Sequence, residues 1–247
     1  MTIYKNMADY YQAIFPVGKK LDFLKEGFKG KKNLLDIGCS DGRVAEALSQ
    51  EGFELEAIDL NEDMVRVAKE VSKAGSGFSV SQVDMTQVDG YFLESSIDGI
   101  YCIGNTLVHL DSYELIEETI KAFKRLLNKD GKLIIQILNY DFIYDNSIRE
   151  LPLIENDKIK FKRKYELEEG NVVFSTKLLI KESGQEFKAS VNLYPLRKSE
   201  LERALKSAGF NSISYYGGFD GKDFSEKGLP LIAVAKSIRE ELPSIHC

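Results

Sequence analysis

A glycine-containing turn follows the first strongly apolar segment of the chain and carries residues suited to holding a ligand. The segment 33–37 (NLLDI) leads directly into Gly38-Cys39-Ser40-Asp41-Gly42. Glycines between a strand and a helix let backbone amides approach a ligand, because no Cβ atom stands in the way. The dinucleotide fingerprint GxGxxG is not met, since Ser40 takes its middle position and no third glycine follows. The turn therefore predicts a ligand other than a pyrophosphate.

A carboxylate follows the second apolar segment. Asp59 comes directly after 53–58 (FELEAI). An acidic side chain at the tip of a second strand accepts hydrogen bonds from both hydroxyls of a ribose. Taken alone, Asp59 also fits a helix N-cap or a surface carboxylate. Beside the glycine turn, it favours a ligand that contains a nucleoside.

Polar residues also follow two later apolar segments, 97–103 and 132–138. Asn105 lies directly after Gly104, and Tyr140 lies in Asn-Tyr-Asp at 139–141. His109, one of only two histidines, is a candidate general base or a donor that orients an acceptor. His109 equally fits a hydrogen-bonded residue in the wall of a pocket. Tyr140, like Tyr194 farther along the chain, also fits a simple packing role.

Two segments together resemble a known family. DIGCSDG (36–42) followed by AIDLNEDMV (57–65) resembles motifs I and II of class I S-adenosylmethionine-dependent methyltransferases. The resemblance implies a loop around the methionine moiety, a carboxylate on the ribose, contacts to the adenine and a tyrosine that closes over the cofactor. Asp84 also fits a simple turn residue. The residues implied in cofactor binding are Tyr11, Gly38, Cys39, Ser40, Gly42, Asp59, Leu60, Met64, Asp84, Met85 and Gly104.

Three shorter segments resemble glycine N-methyltransferase and related small-molecule methyltransferases: 104–110 (GNTLVHL), 139–141 (NYD) and 193–195 (LYP). Through them the resemblance implies catalytic or acceptor-binding roles for Asn105, His109, Tyr140 and Tyr194. The glycine enzymes carry an arginine before Asn-Tyr-Asp, where this chain has Leu138. A bound carboxylate would lose a hydrogen bond worth roughly 1.5–3 kcal/mol, unless Arg163 or Arg197 replaces it. Glycine is therefore not predicted as the acceptor.

The elements that must position these residues alternate between strand and helix. Predicted strands cover 33–37, 53–58, 78–83, 97–103 and 132–138, and helices cover 43–50, 63–73 and 112–127. This alternation predicts parallel strands with crossover helices, and strands at 212–216 and 231–236 complete the sheet. The fold class is α/β: a Rossmann-like, seven-stranded, mostly parallel sheet with helices on both faces. Ligands bind at the carboxyl ends of such strands.

A different pattern interrupts this alternation. Three strand-like runs at 158–167, 171–181 and 185–194 are separated by turn residues at Gly170 and Gly184. They predict a small antiparallel β insert. The prediction divides the chain into a methyltransferase domain, 1–157 and 195–247, and an insert, 158–194, that acts as a lid or acceptor subdomain.

The charge and the cysteine content limit the classes of binding partner and the cellular location that the sequence predicts. The 247 residues carry a net charge of −6 with the basic residues dispersed, which argues against an obligate nucleic-acid partner. Cys39, Cys102 and Cys247 lack metal-site spacing, which predicts reduced thiols, no bound metal and a cytoplasmic location. Cys39 and Cys102 are expected in small buried positions. The N-terminal residues do not resemble a signal peptide, and no apolar run approaches the roughly 18 residues of a membrane-spanning helix.

The predicted function is S-adenosylmethionine-dependent methyl transfer, by in-line displacement, to the amine nitrogen or hydroxyl oxygen of a small molecule. Two alternatives stay open: a non-catalytic regulatory module that binds S-adenosylmethionine or its product, and a methyltransferase acting on RNA or protein. A nucleotide-dependent oxidoreductase is disfavoured by the broken glycine fingerprint.

Overall fold

The computed structural model of the chain describes residue 7 and residues 10–74, 78–168 and 170–236. Its helices are α1 (Tyr11–Ile14), α2 (Lys19–Gly27), α3 (Arg43–Gln50), α4 (Glu62–Ala74), α5 (Val88–Tyr91), α6 (Tyr113–Leu126), α7 (Tyr140–Asp145) and α8 (Lys198–Ser207). Its strands are β1 (Asn33–Ile37), β2 (Glu54–Asp59), β3 (Ser79–Gln82), β4 (Ile97–Cys102), β5 (Leu127–Leu138), β6 (Ile154–Glu155), β7 (Ile159–Glu168), β8 (Asn171–Ile180), β9 (Glu186–Leu193), β10 (Ser212–Tyr216) and β11 (Pro230–Lys236).

Seven strands form the larger sheet, in the order β10-β11-β5-β4-β1-β2-β3. β1 pairs in parallel with β2 and β4, and the parallel pairing continues to β3 on one side and β5 on the other. β11 runs antiparallel to both β5 and β10. The strand order reverses between β1 and β4, so a crevice opens at their carboxyl ends, where ligands bind in such sheets. The predicted fold class is confirmed.

Helices cover both faces of this sheet because successive side chains of each strand point to opposite sides. Leu34 packs with the cluster that includes Leu24 of α2, whereas Leu35 packs with the cluster that includes Ile120 of α6. Cys39 and Cys102 are buried, as predicted, and Cys247 lies outside the described residues. Within the described part of the chain, every helix is too short or too polar to cross a bilayer.

The second sheet is antiparallel, in the order β6-β7-β8-β9. It contains the three predicted strands and one that the sequence did not reveal, β6, which is only two residues long. One end of its inner face packs through Ile159 and Phe161 against Ile14 and Met64. The other end packs through Tyr165 against the main core around Tyr140. The insert therefore has two contacts with the rest of the protein, one with Ile14 and Met64 and one with the core of the larger sheet.

Two other features differ from the sequence prediction. β5 begins at Leu127 rather than at residue 132, although Asp130-Gly131 is a typical turn pair. The pairing between β5 and β4 shifts register between Ile97 and Gly99 of β4. This irregularity lets β5 continue through Asp130 and Gly131. The helices α1, α2, α5 and α7 were not predicted. Of these, α1, α5 and α7 have only four to six residues, which are too few to show a helical period.

We predict that Gly99→Ala lowers the free energy of unfolding by about 1–3 kcal/mol through overpacking. A Cβ atom at Gly99 would lie 2.5 Å from Phe28 Cδ1 and 2.7 Å from Leu34 Cδ2. Gly90→Ala is the control, since a Cβ atom there meets nothing within 4 Å. Urea denaturation should separate the two variants; equal stability would contradict the packing described for β4.

Candidate active site

The glycine turn after β1 depends on left-handed backbone conformations. Gly38 and Gly42 have φ values of +73° and +75°, and Ser40 between them has φ +53°. A Cβ atom at Gly38 would collide with the side chain of Thr106, and one at Gly42 would lie 2.9 Å from Ala68 Cβ. Both glycines are therefore required. Ser40 occupies a conformation that L-residues adopt only at a cost.

The carboxylate of Asp59 joins this turn to the loop after β2. Its Oδ2 accepts a hydrogen bond from the Ser40 N–H at 2.8 Å, and its Oδ1 accepts one from the Asn61 N–H, also at 2.8 Å. Burial raises the pKa of Asp59, and the backbone hydrogen bonds oppose that rise. Each carboxylate oxygen keeps a second lone pair. The group is thus fixed in place and can still accept hydroxyl hydrogen bonds from a diol.

A cleft opens beside the glycine turn and carries both signs of charge. Lys20, Asp36 and Asp41 line it together with Gly38 and other turn residues. Burial lowers the pKa of Lys20 and raises the pKa of Asp41, and it raises the pKa of Asp36 to about 8. Lys20 and Asp41 match the carboxylate and the ammonium of an amino-acid moiety, and the protonated Asp36 can still accept a hydrogen bond from that ammonium. The cleft therefore suits the methionine end of the expected cofactor.

Sequence reasoning gave no role to these three charged residues. Lys20 lies on α2, a helix that the sequence pattern did not reveal. Asp36 did carry a signal, because it is the one charged residue in the otherwise mainly apolar strand β1. A buried carboxylate in such a strand is rare unless it is paired or functional.

The N-terminal segment closes this cleft. Tyr11 and Phe15 line it, and the Tyr11 hydroxyl lies 3.9 Å from the position of a Cβ atom built on Gly104. Burial raises the pKa of Tyr11, so the phenol is neutral. The cleft holds only about 30 Å³, whereas ligand pockets typically measure about 300–1,000 Å³. The cleft is therefore too small for a cofactor in this conformation, and Tyr11 and Phe15 are among the side chains that fill it.

The residues expected near the adenine divide into exposed and buried groups. Leu60 is 64% exposed beside Asp59, which leaves an apolar surface free for a ring. Met64 is only 1% exposed and packs under the insert, so it does not present an open surface. Asp84 Oδ1 accepts hydrogen bonds from the backbone N–H and the hydroxyl of Thr86, at 2.9 and 2.8 Å. Met85 is partly buried against the core.

The tip of β4 is fastened to β5 through Asn105. Its Oδ1 accepts a hydrogen bond from the Leu138 N–H at 2.9 Å, and its Nδ2 donates to the Tyr140 hydroxyl at 3.0 Å. Gln136 supports the same corner, because its Oε1 accepts the Gly104 N–H at 2.8 Å. Asn105 has φ +68°. The structure thus brings Asn105, Tyr140 and Gly104 together, with the amide holding the tyrosine in place.

His109 and Tyr194 lie farther along this edge. His109 ends a short 3₁₀ turn after β4, and burial lowers its pKa to about 4. The Tyr194 N–H donates to the Val108 carbonyl at 2.9 Å, whereas its hydroxyl donates to Glu200 at 2.8 Å. Tyr194 lines a separate surface pocket of about 590 Å³ and is not brought to the cleft. Arg197, in that same pocket, is already paired with Asp141 at 3.1 Å.

Comparison with known proteins agrees with this geometry. Residues 7–215 match the family model described as a methyltransferase domain. The chain is 28% identical over 193 residues to a glycine/sarcosine N-methyltransferase of Aphanothece halophytica, covering 77% of this chain and 70% of that protein.

It is also 28% identical over 222 residues to a glycine/sarcosine/dimethylglycine N-methyltransferase of Actinopolyspora halophila, covering 86% of this chain but only 37% of that protein. The fold is similar to that of an S-adenosylmethionine-dependent methyltransferase from Clostridium acetobutylicum, with a TM-score of 0.80 and 16% identity. That alignment covers 96% of this chain and 99% of the other.

We predict that Asp59→Ala weakens binding of S-adenosylmethionine by at least about tenfold, because it removes the acceptor for the ribose and releases Ser40 and Asn61. Asp98→Ala is the matched control. Asp98 Oδ2 also accepts two backbone N–H groups, from Lys32 and Asn33 at 2.9 Å, but at the opposite end of the sheet. Calorimetric titration should show a loss of affinity in the first variant only; a similar loss in both would remove the ribose assignment.

We also predict a pH-dependent stability difference between the wild type and Asp36→Asn. With a pKa near 8, folded Asp36 holds a proton that the unfolded chain has released above pH 4. The free energy of unfolding of the wild type should therefore fall relative to the variant as pH rises from 5 to 8, by at most about 1.4 kcal/mol per pH unit. Urea denaturation of the cofactor-free protein measures this, and parallel pH curves for the two proteins would be inconsistent with a raised pKa.

Proposed function

Since this chain belongs to the S-adenosylmethionine-dependent methyltransferases of class I, we propose that it methylates the amine nitrogen of a small molecule. When bound, the cofactor supplies a methyl group on a sulfonium, which is transferred by in-line displacement. Asp59 is proposed to hold its ribose, with Leu60 and Asp84 beside the adenine. Lys20, Asp36 and the glycine turn are proposed to hold its methionine end, and Tyr11 to close over it.

The observation that carries the choice of an amine is the neutrality of the polar groups at the tip of β4. Asn105 is an amide, and burial raises the pKa of Tyr140 above its usual value. Burial also keeps His109 neutral, with a pKa of about 4. A hydroxyl acceptor needs a base whose pKa lies near the working pH, and this histidine is far below it. A neutral amine needs only to be positioned about 3 Å from the methyl carbon and shielded from water.

Two further observations favour a small acceptor. Both curated relatives described above are named N-methyltransferases of glycine and its methylated derivatives. The insert and the N-terminal segment meet over the strand ends, where Ile159 and Phe161 pack with Ile14. Just before the insert, Asn156 Nδ2 donates to the Ala13 carbonyl at 2.8 Å. We propose that the insert, 158–194, serves as the acceptor subdomain and that it moves with α1 as a lid. The net charge of −6 gives RNA little electrostatic attraction.

We predict that His109→Gln retains the rate of methyl transfer to within about tenfold. On the proposed function, His109 shapes the wall of the acceptor pocket and does not accept a proton. Loss of a general base would lower the rate by about 10²–10⁴-fold. The variant should also keep the pH profile of the wild type between pH 7 and 9. A loss of about 10²–10⁴-fold that shrinks toward low pH, where the wild-type imidazole itself becomes protonated, would identify His109 as a base and point to a hydroxyl acceptor.

The direct test is a competition between paired acceptors that differ only in the attacking atom, such as ethylamine and ethanol derivatives of one scaffold. Methyl transfer from radiolabelled S-adenosylmethionine should be confined to the amine. Transfer to the hydroxyl member, or only to added RNA or protein, would overturn the proposal.

A further inference from the structure

One polar residue interrupts the apolar run of the central strand β5. Gln136 lies between Ile135 and Ile137, which are fully buried, and is itself only 9% exposed. A buried amide lowers the stability of a protein unless its polar atoms are hydrogen-bonded. An amide at this position therefore indicates a specific set of partners.

Both polar atoms of the Gln136 side chain have a partner. Oε1 accepts a hydrogen bond from the Gly104 N–H at 2.8 Å, and Nε2 donates to the Ile137 carbonyl at 3.0 Å. Because a backbone N–H only donates and a carbonyl only accepts, these two partners fix which way round the amide lies. The side chain is thus held in place by the protein alone.

The main chain of Gln136 holds the next residue of the same corner. Its carbonyl accepts a hydrogen bond from the Asn105 N–H at 3.2 Å. Gly104 and Asn105 have φ values of +80° and +68°, and the left-handed region is costly for a residue other than glycine. Hydrogen bonds to one residue of β5 therefore stabilise two successive left-handed residues at the tip of β4.

These hydrogen bonds determine where the Gly104 carbonyl points. The N–H and C=O groups of a trans peptide point in opposite directions, and the described residues contain no cis peptide bond. Since the Asn105 N–H is directed at β5, the Gly104 carbonyl of the same peptide is directed away from β5, toward the β1 side of β4. Gly104 is exposed and lines the cleft beside the glycine turn. Its carbonyl accepts no hydrogen bond from the described residues, so a ligand in the cleft can approach it.

We propose that Gln136 is a positioning residue for methyl transfer: by fixing the Gly104–Asn105 peptide, it presents the Gly104 carbonyl to the positively charged end of the cofactor. A carbonyl dipole that is held in place before the cofactor binds stabilises positive charge without reorganising. Gln136 is not among the residues that line the cleft, so it acts through Gly104. The inference rests on the proposed function and adds to it a residue that does not touch the ligand.

Three variants separate positioning from simple stabilisation. Gln136→Met has a similar length but leaves the Gly104 N–H without an acceptor. Gln136→Glu is the conservative variant, because burial raises the pKa of a carboxyl group and a protonated carboxyl both accepts and donates, as the amide does. Thr119→Val is the control for stability, since it removes another buried hydrogen bond, from Thr119 Oγ1 to the Leu115 carbonyl at 2.7 Å within α6.

The first arm measures amide hydrogen exchange by NMR in the isotope-labelled, ligand-free protein. The Gly104 amide proton should exchange at least about tenfold faster in Gln136→Met than in the wild type, because its acceptor is gone. Gln136→Glu and Thr119→Val should keep the wild-type rate at this position. Equal exchange of Gly104 in the wild type and in Gln136→Met would overturn the inference at its first step.

The second arm compares two cofactor analogues by calorimetric titration. S-adenosylhomocysteine lacks the methyl group and the positive charge, whereas sinefungin carries an amino group at the corresponding position. The wild type, Gln136→Glu and Thr119→Val should bind sinefungin at least about tenfold more tightly than S-adenosylhomocysteine, as expected for a charge-assisted hydrogen bond. Gln136→Met should lose that preference, while its affinity for S-adenosylhomocysteine stays within about threefold of the wild type.

The third arm measures methylation of the amine member of the paired acceptors described above. Gln136→Met should lower kcat by about tenfold or more, because small displacements of the reacting groups slow the transfer steeply, and KM should change little. Gln136→Glu should restore kcat, and Thr119→Val should leave it unchanged.

The arms distinguish failure of this inference from failure of the proposed function. The inference is overturned by a wild type that has no preference for sinefungin, or by a preference that survives in Gln136→Met. An equal loss of affinity for both analogues in Gln136→Met would also overturn it, because such a loss indicates a general structural role. If the preference depends on Gln136 but no amine is methylated, the positioning role stands and the proposed amine function fails.

Discussion

The partly buried carboxylate of Asp59 is the constraint on which the site depends. It receives one backbone N–H from the turn after β1 and one from the loop after β2, so the ends of two adjacent strands are fixed relative to each other. The turn can meet that requirement only because Gly38 and Gly42 adopt positive φ values where a side chain would collide with its neighbours. Conformational strain at Ser40 is the local cost of this arrangement.

A second layer of structure encloses these strand ends. The N-terminal helix α1 lines the cleft from one side, and the insert packs against α1 through Ile159 and Phe161, which contact Ile14. The main sheet thus carries the proposed cofactor site, and the covering elements carry the surfaces that we propose meet the acceptor.

The sequence predicted the main sheet well because short, mostly apolar runs coincide with its central strands and helical patterns coincide with its longer helices. It also predicted the Gly38–Gly42 turn and Asp59, since the spacing of residues in a strand–turn–helix unit is local information. It did not reveal Lys20 or the inward position of Arg163. Lys20 lies on α2, which the sequence pattern did not predict. Arg163 lies in β7 among other basic residues, and the sequence does not distinguish the one that points inward. Likewise, Tyr194 lies next to a matching motif yet faces a different pocket, because β9 directs its hydroxyl toward Glu200.

The central claim is that the strand ends around Asp59 bind S-adenosylmethionine. Calorimetric titration of the purified chain with S-adenosylmethionine, and with NAD in parallel, tests it most directly. The account predicts micromolar binding of S-adenosylmethionine and no binding of NAD, because the turn lacks the glycine pattern that pyrophosphate requires. Tight binding of NAD, or binding of neither ligand, would contradict it.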